Sequence, residues 1–113
     1  GSEMCIRDRY NGEKILEKKY TKWFDCDKIN CELTVRTRRS GDYMAVSQSG
    51  GHKKLTRCMI DDKIPGELRG KLPLVVDGNE VLWIVGGRIN ERYKITSETG
   101  RVLEITYQGG NVQ

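Results

Sequence analysis

"LPLVVDGNEVLWIVG" spans Leu72–Gly86, and its reading decides the class of fold. Two runs rich in Val, Leu, Ile and Trp flank a turn at Asp77-Gly78, the composition of a hairpin whose strands are covered on both faces. Upstream, "CELTVRTR" (Cys31–Arg38) alternates. Leu33, Val35 and Thr37 then share an inner face, and Glu32, Thr34, Arg36 and Arg38 an outer face that is cationic at its far end. Downstream, "RYKIT" (Arg92–Thr96) and "RVLEITY" (Arg101–Tyr107) read as a second hairpin with Leu103, Ile105 and Tyr107 inward. Between these strands lies "HKKLTRCMIDD" (His52–Asp62), where Leu55, Cys58 and Met59 recur at helical period and Lys54, Arg57 and Asp61 face away. Lysines open this helix and two aspartates close it, opposing the helix dipole at about 0.3–1 kcal/mol per end, a cost that an anion bound at the amino end would offset. Pro65 stops it, and Pro65–Lys71 reads as a short helical turn or loop. The expected class is α+β, mostly antiparallel sheet or sandwich with one or two short helices.

A chain of 113 residues, 36% hydrophobic and 32% charged, suits one small module with a wet face. No apolar run approaches the roughly 20 residues of a membrane helix, and no secretory leader is visible, so no membrane partner is expected. The four cysteines (Cys5, Cys26, Cys31, Cys58) form no CxxC pair and have one histidine for company. Reduced thiols in a cytoplasmic protein, with no metal, are the expectation. Residues 1–9, "GSEMCIRDR", read back into codons that match the end of a transposase-type sequencing adapter. They are therefore set apart from the fold, and a fusion there would make the chain the C-terminal piece of a longer one. Residues 10–20 read as a linker or the remnant of a preceding domain, helix or edge strand; 21–107 as the domain; 108–113 as a polar tail.

The charge is unevenly placed. From Arg36 to Arg57 stand six cations, Arg36, Arg38, Arg39, Lys53, Lys54 and Arg57, against Asp42 alone. The whole chain carries only +4, so the remainder is close to neutral. Arginine forks match phosphate, and a local basic patch is the usual footprint of nucleic-acid binding; the competing reading is a solvated cationic face. "SQSGGHKK" resembles a phosphate loop but lacks both the SGGxDS and the GxxxxGK[ST] pattern. His52 has no nucleophile placed beside it, and Asp61-Asp62 read as capping or solvated acids, so no catalytic residue is assigned. Trp83 reads as core, while Tyr43 either stacks on a base or packs over the turn.

The order of these pieces, "FDCDKI", "LTVRTRRSGDYM" and "GGHKKLTRCMIDDKIPGELRGKLPLVVDGNEVLWIVGGRINERYKIT", closely resembles the C-terminal domain of bacterial tRNA(Ile)-lysidine synthetase. The matches include Arg36, Arg38, Arg39, Gly41, Asp42, Lys53, Lys54, Leu55, Lys63, Pro65, Arg69, Trp83 and Arg88. Ser40 stands where the family usually has proline, and Tyr43 where it often has arginine. The resemblance implies a fold shared with a domain of the phenylalanyl-tRNA synthetase β subunit. It implies a parent enzyme that adenylates the wobble cytidine of an isoleucine tRNA with ATP and magnesium, then joins lysine to it. The catalytic domain would lie N-terminal and outside this chain, which itself would need no cofactor. Implied partners are the tRNA(Ile) acceptor region, the parent's catalytic domain and a second copy in a homodimer. The residues expected on tRNA are Arg36, Arg38, Arg39, Lys53, Lys54, Arg57, Lys63 and Arg69, with Gly41 and Asp42 shaping the turn. A stand-alone RNA-binding module and a protein-docking domain are the alternatives.

Overall fold

The computed structural model describes residues 20–29, 33–47, 49 and 51–107, together with the backbone of 2–7. The chain divides into two compact units, one formed by 1–29 with 93–113 and the other by 30–92.

In the first unit, β8 (Val102–Tyr107) runs between β1 (Ser2–Arg7) and β2 (Thr21–Asp25), antiparallel to both. Residues 2–7, set apart on sequence grounds, thus take a strand; pairing bears on their placement and not on their origin. The expectations for residues 10–20, Tyr20 apart, and for the tail 108–113 lie outside the described residues. Trp23 is paired directly with Glu104 and donates its indole N–H to that carboxylate at 2.6 Å. Phe24, Val102, Leu103 and Ile105 are buried.

The expected hairpin between Arg92–Thr96 and β8 does not form. Asn90 accepts the Arg92 N–H at 2.8 Å, a side-chain turn that takes a donor a strand ladder would need, and Glu91–Tyr93 winds into a 3-10 turn. Thr99 then closes a second turn by accepting the Thr96 N–H.

The second unit carries a five-stranded sheet in the order β3 (Leu33–Arg36), β6 (Leu74–Asp77), β7 (Glu80–Ile84), β4 (Tyr43–Ala45), β5 (His52–Lys54). The β6–β7 hairpin forms with its turn one residue later than expected: Asp77 pairs with Glu80, and Gly78-Asn79 make the corner. Gly78 has φ +69°, the sign required at the first position of a two-residue II′ turn. Val75 pairs with Trp83 but Val76 with Val81, so Leu82 is a bulged extra residue. Met44, Leu74, Val76, Val81 and Ile84 pack with Leu55, Cys58 and Met59 of helix α1 (Leu55–Asp61) into a core, with Ile64 and Leu72 at its margin. The helical stripe therefore does what its period predicts.

Two expectations are corrected here. First, β3 presents the opposite face. Arg36 pairs with Leu74 and its side chain is 12% exposed, while Val35 is 38% exposed and Thr34, opposite Val76, is exposed as well. Among the described residues β3 ends the sheet, and there Arg36 finds its ionic partner in Asp42 at 2.8 Å. Second, His52–Lys54 is strand β5, and α1 starts only at Leu55, whose N–H donates to the Asp42 carbonyl at 3.0 Å. Lys54 is the cap residue and Arg57 stands in the first turn, where there is no acid, so cations still oppose the dipole at that end. At the other end Asp61 is met by Lys53 (2.9 Å) and Arg57 (3.4 Å), and Asp62 by Arg88. A short helix α2 (Gly66–Arg69) follows Pro65.

Candidate nucleic-acid interface

Asp42 organises the site. Its carboxylate accepts two bonds from the Arg36 guanidinium (2.8 and 2.9 Å), one from the Arg39 N–H (2.8 Å) and one from the Asn79 amide (3.2 Å). Arg36 also donates to the Gly78 carbonyl at 3.1 Å. This bracket ties β3, the loop Thr37–Gly41 and the β6–β7 corner to one another. Gly41, at φ +93°, makes the turn that aims Asp42 back at Arg36. Burial alone would raise the Asp42 pKa, but the bonds from Arg36, Arg39 and Asn79 and the charge of Arg36 outweigh it and hold the carboxyl below its ordinary range.

Around this bracket the eight expected cations fall into distinct roles. Arg36 is enclosed, its side chain 12% exposed, and serves the turn. Arg69 donates from Nε to the Ile64 carbonyl at 2.8 Å and fastens the α1–α2 connection. Lys53 and Arg57 share Asp61, which lowers the net charge they present. Arg38, Arg39 and Lys54 are exposed, and their side chains meet no acid among the described residues. The backbone joins the segments that carry them: Asp42 donates to the Arg39 carbonyl at 3.2 Å and accepts from Leu55, the residue after Lys54. Lys63 is likewise exposed and sits at φ +60°. There the Lys63 N–H reaches the Ile60 carbonyl and the Ile64 N–H the Met59 carbonyl, closing α1 in a Schellman motif. Glycine is the easier residue at that angle, so the lysine is carried against a backbone preference of about 1–2 kcal/mol.

The hairpin β4–β5 supplies what alternation in the sequence leaves unread. Tyr43 pairs with Lys54, and its ring lies 4.9 Å from that of His52. Strands of three residues are too short for a period to show, and this ring contact exists only through their register. Ahead of β5, Val46 donates to the Gly51 carbonyl and Gly51 to the Ser47 hydroxyl, bonds that close the hairpin. Among the described residues no cluster of His, Cys, Asp or Glu could hold a metal, and none of the helices is long and apolar enough to cross a membrane. Neither Cys26 nor Cys58 is in a disulfide, and burial raises the pKa of Cys58.

Residues 33–105 match the family model described as the TilS substrate C-terminal domain. The chain is 38% identical over 107 residues to a tRNA(Ile)-lysidine synthase of Clostridium perfringens, covering 95% of this chain and 23% of that protein. It is 44% identical over 88 residues to the enzyme of the same name from Caldanaerobacter subterraneus subsp. tengcongensis, covering 78% and 19% respectively. The chain thus spans under a quarter of these relatives' length. A crystal structure of a TilS C-terminal domain superposes with a TM-score of 0.72 at 28% identity, covering 98% of this chain and 85% of the other.

Proposed function

Because this chain belongs to the TilS substrate C-terminal domain family, we propose that it grips the acceptor region of an isoleucine tRNA for a lysidine-forming enzyme. In that reading the ATP- and magnesium-dependent ligation of lysine to the wobble cytidine takes place on a separate N-terminal domain of the parent protein, in the cytoplasm. The present domain contributes substrate grip. The observation that carries the reading is that the segments carrying Arg38, Arg39 and Lys54 are joined through the Asp42–Leu55 backbone bond, while the nearby acids are engaged by other cations. Such a surface attracts phosphate without sequence preference, and base contacts elsewhere supply discrimination.

The test is a salt titration. Each phosphate neutralised contributes a slope of about −0.9 in log K against log salt for duplex DNA, and an RNA stem behaves on the same order. Replacing Arg38 and Lys54 together by Ala is expected to weaken tRNA binding and flatten the slope by about one to two units. Stability should hardly move, since exposed charges seldom contribute more than about 1 kcal/mol. Unchanged affinity and slope in a folded double variant would reduce the surface to a solvated face, and a flat salt response of the unaltered chain would favour protein docking.

A second expectation concerns chemistry. The chain mixed with ATP, lysine and isoleucine tRNA should form no lysidine above a protein-free control, because its basic side chains bind and no acid–base pair or phosphate cradle stands among the described residues. Turnover would overturn the division of labour.

A further inference from the structure

We infer that the Tyr43–His52 ring pair is a stacking surface for one unpaired RNA base, with Lys54 holding the phosphate beside it; this rests on the tRNA-binding reading above. The rings are 4.9 Å apart between centroids and tilted by 47°. Tyr43 is half-buried and braces the pair, whereas His52 is exposed. Lys54 pairs directly with Tyr43 and so points to the same side of the sheet. His52 and Lys54 are two residues apart on β5, about 7 Å along the strand, a span that lets one nucleotide set its base on the ring and its phosphate on the ammonium.

Lys53, between them, pairs with Met44 on the core side and is held by Asp61. Charge and aromatic surface are therefore sorted to one face, with the neutralised lysine on the other. Among the described residues β5 also ends the sheet, with no strand paired to its outer edge. Exposed aromatic rings next to a free cation accept bases of any identity, provided the base is not already stacked in a duplex. The ring pair therefore adds a preference for unpaired nucleotides to a surface that otherwise reads only phosphate.

The experiment compares two RNAs at fixed salt against the 113-residue chain: a blunt-ended two-strand duplex, and the same duplex with a short unpaired 3′ tail. The chain should prefer the tailed RNA. His52→Ala should weaken tailed binding by roughly five- to a hundredfold, the range seen for losing one base–aromatic stack, and leave blunt binding unchanged. His52→Phe should retain the preference, because a ring without a proton to give still stacks. Equal weakening on both RNAs, no weakening, or His52→Phe behaving like His52→Ala would overturn the inference. If the unaltered chain binds both RNAs alike, the stacking surface is refuted while the tRNA grip stands. If it binds neither, both fall.

Discussion

Trp83→Ala is expected to cost about 3–5 kcal/mol, the range for truncating a buried Trp or Phe. Trp83 is fully buried in β7, pairs with Val75 of β6, and bridges to Ile89 where the chain folds back at Gly86-Gly87. That return is fastened by the Ile84 N–H to the Arg88 carbonyl (2.9 Å) and the Asn90 N–H to the Leu82 carbonyl (2.7 Å). A void at position 83 thus loosens both sides of the strand that carries the centre of the sheet. Near 100 residues each kcal/mol shifts Tm by about 4–8 °C, so a fall of about 12 °C or more is expected. Trp83→Phe should lose distinctly less, since it keeps most of the ring. RNA binding measured well below the melting temperature should survive in both variants. A Trp83→Ala protein that melts like the parent yet loses RNA would make this residue a binding platform instead of core.

What the sequence made legible follows from how far each decision reaches along the chain. β6–β7 is announced locally, by a continuous apolar run with a glycine at its corner, and so is the stripe Leu55, Cys58, Met59. The register of β3 is not local. Alternation put Val35 inside, but the side that is buried depends on which strand pairs with β3, and pairing Arg36 with Leu74 sets the opposite choice. β4 and β5 are three residues each and carry no readable period. β8 has the right composition for a hairpin, yet its partners lie at the far N-terminal end of the chain. The basic cluster was visible as composition; which of its members remain available for phosphate was not. That depends on Asp42, Asp61 and Asp62, whose choice of cation is made by the turn at Gly41 and by the end of α1.

Asp42→Ala should destabilise the protein by about 3–5 kcal/mol, the cost of breaking an enclosed ion pair by removing one member. The carboxylate is 1% exposed, and its loss leaves Arg36 without its counter-charge, holding only carbonyl oxygens, and takes the acceptor from the Arg39 N–H and the Asn79 amide. Arg36→Ala should cost less, because Asp42 keeps two of its donors, and the double variant should fall short of the sum of the two singles. Acid exposes the same bracket. The Asp42 carboxyl titrates below its ordinary range when folded, so the folded state binds its proton less readily than the unfolded chain does. Its contribution is complete above the ordinary carboxylate pKa and is lost as pH falls through the depressed folded value. Melts recorded from neutral pH into that acid window should show the parent losing stability. Asp42→Asn, already lacking the charge, should lose less over the same interval, and parallel curves would deny Asp42 its role as the acid-sensitive anchor. The bracket also fastens the loop that carries Arg38 and Arg39, through the Arg39 N–H. RNA affinity of the Asp42 variants should therefore fall even where they remain folded, with the salt slope kept, because the cations are still present but no longer arranged.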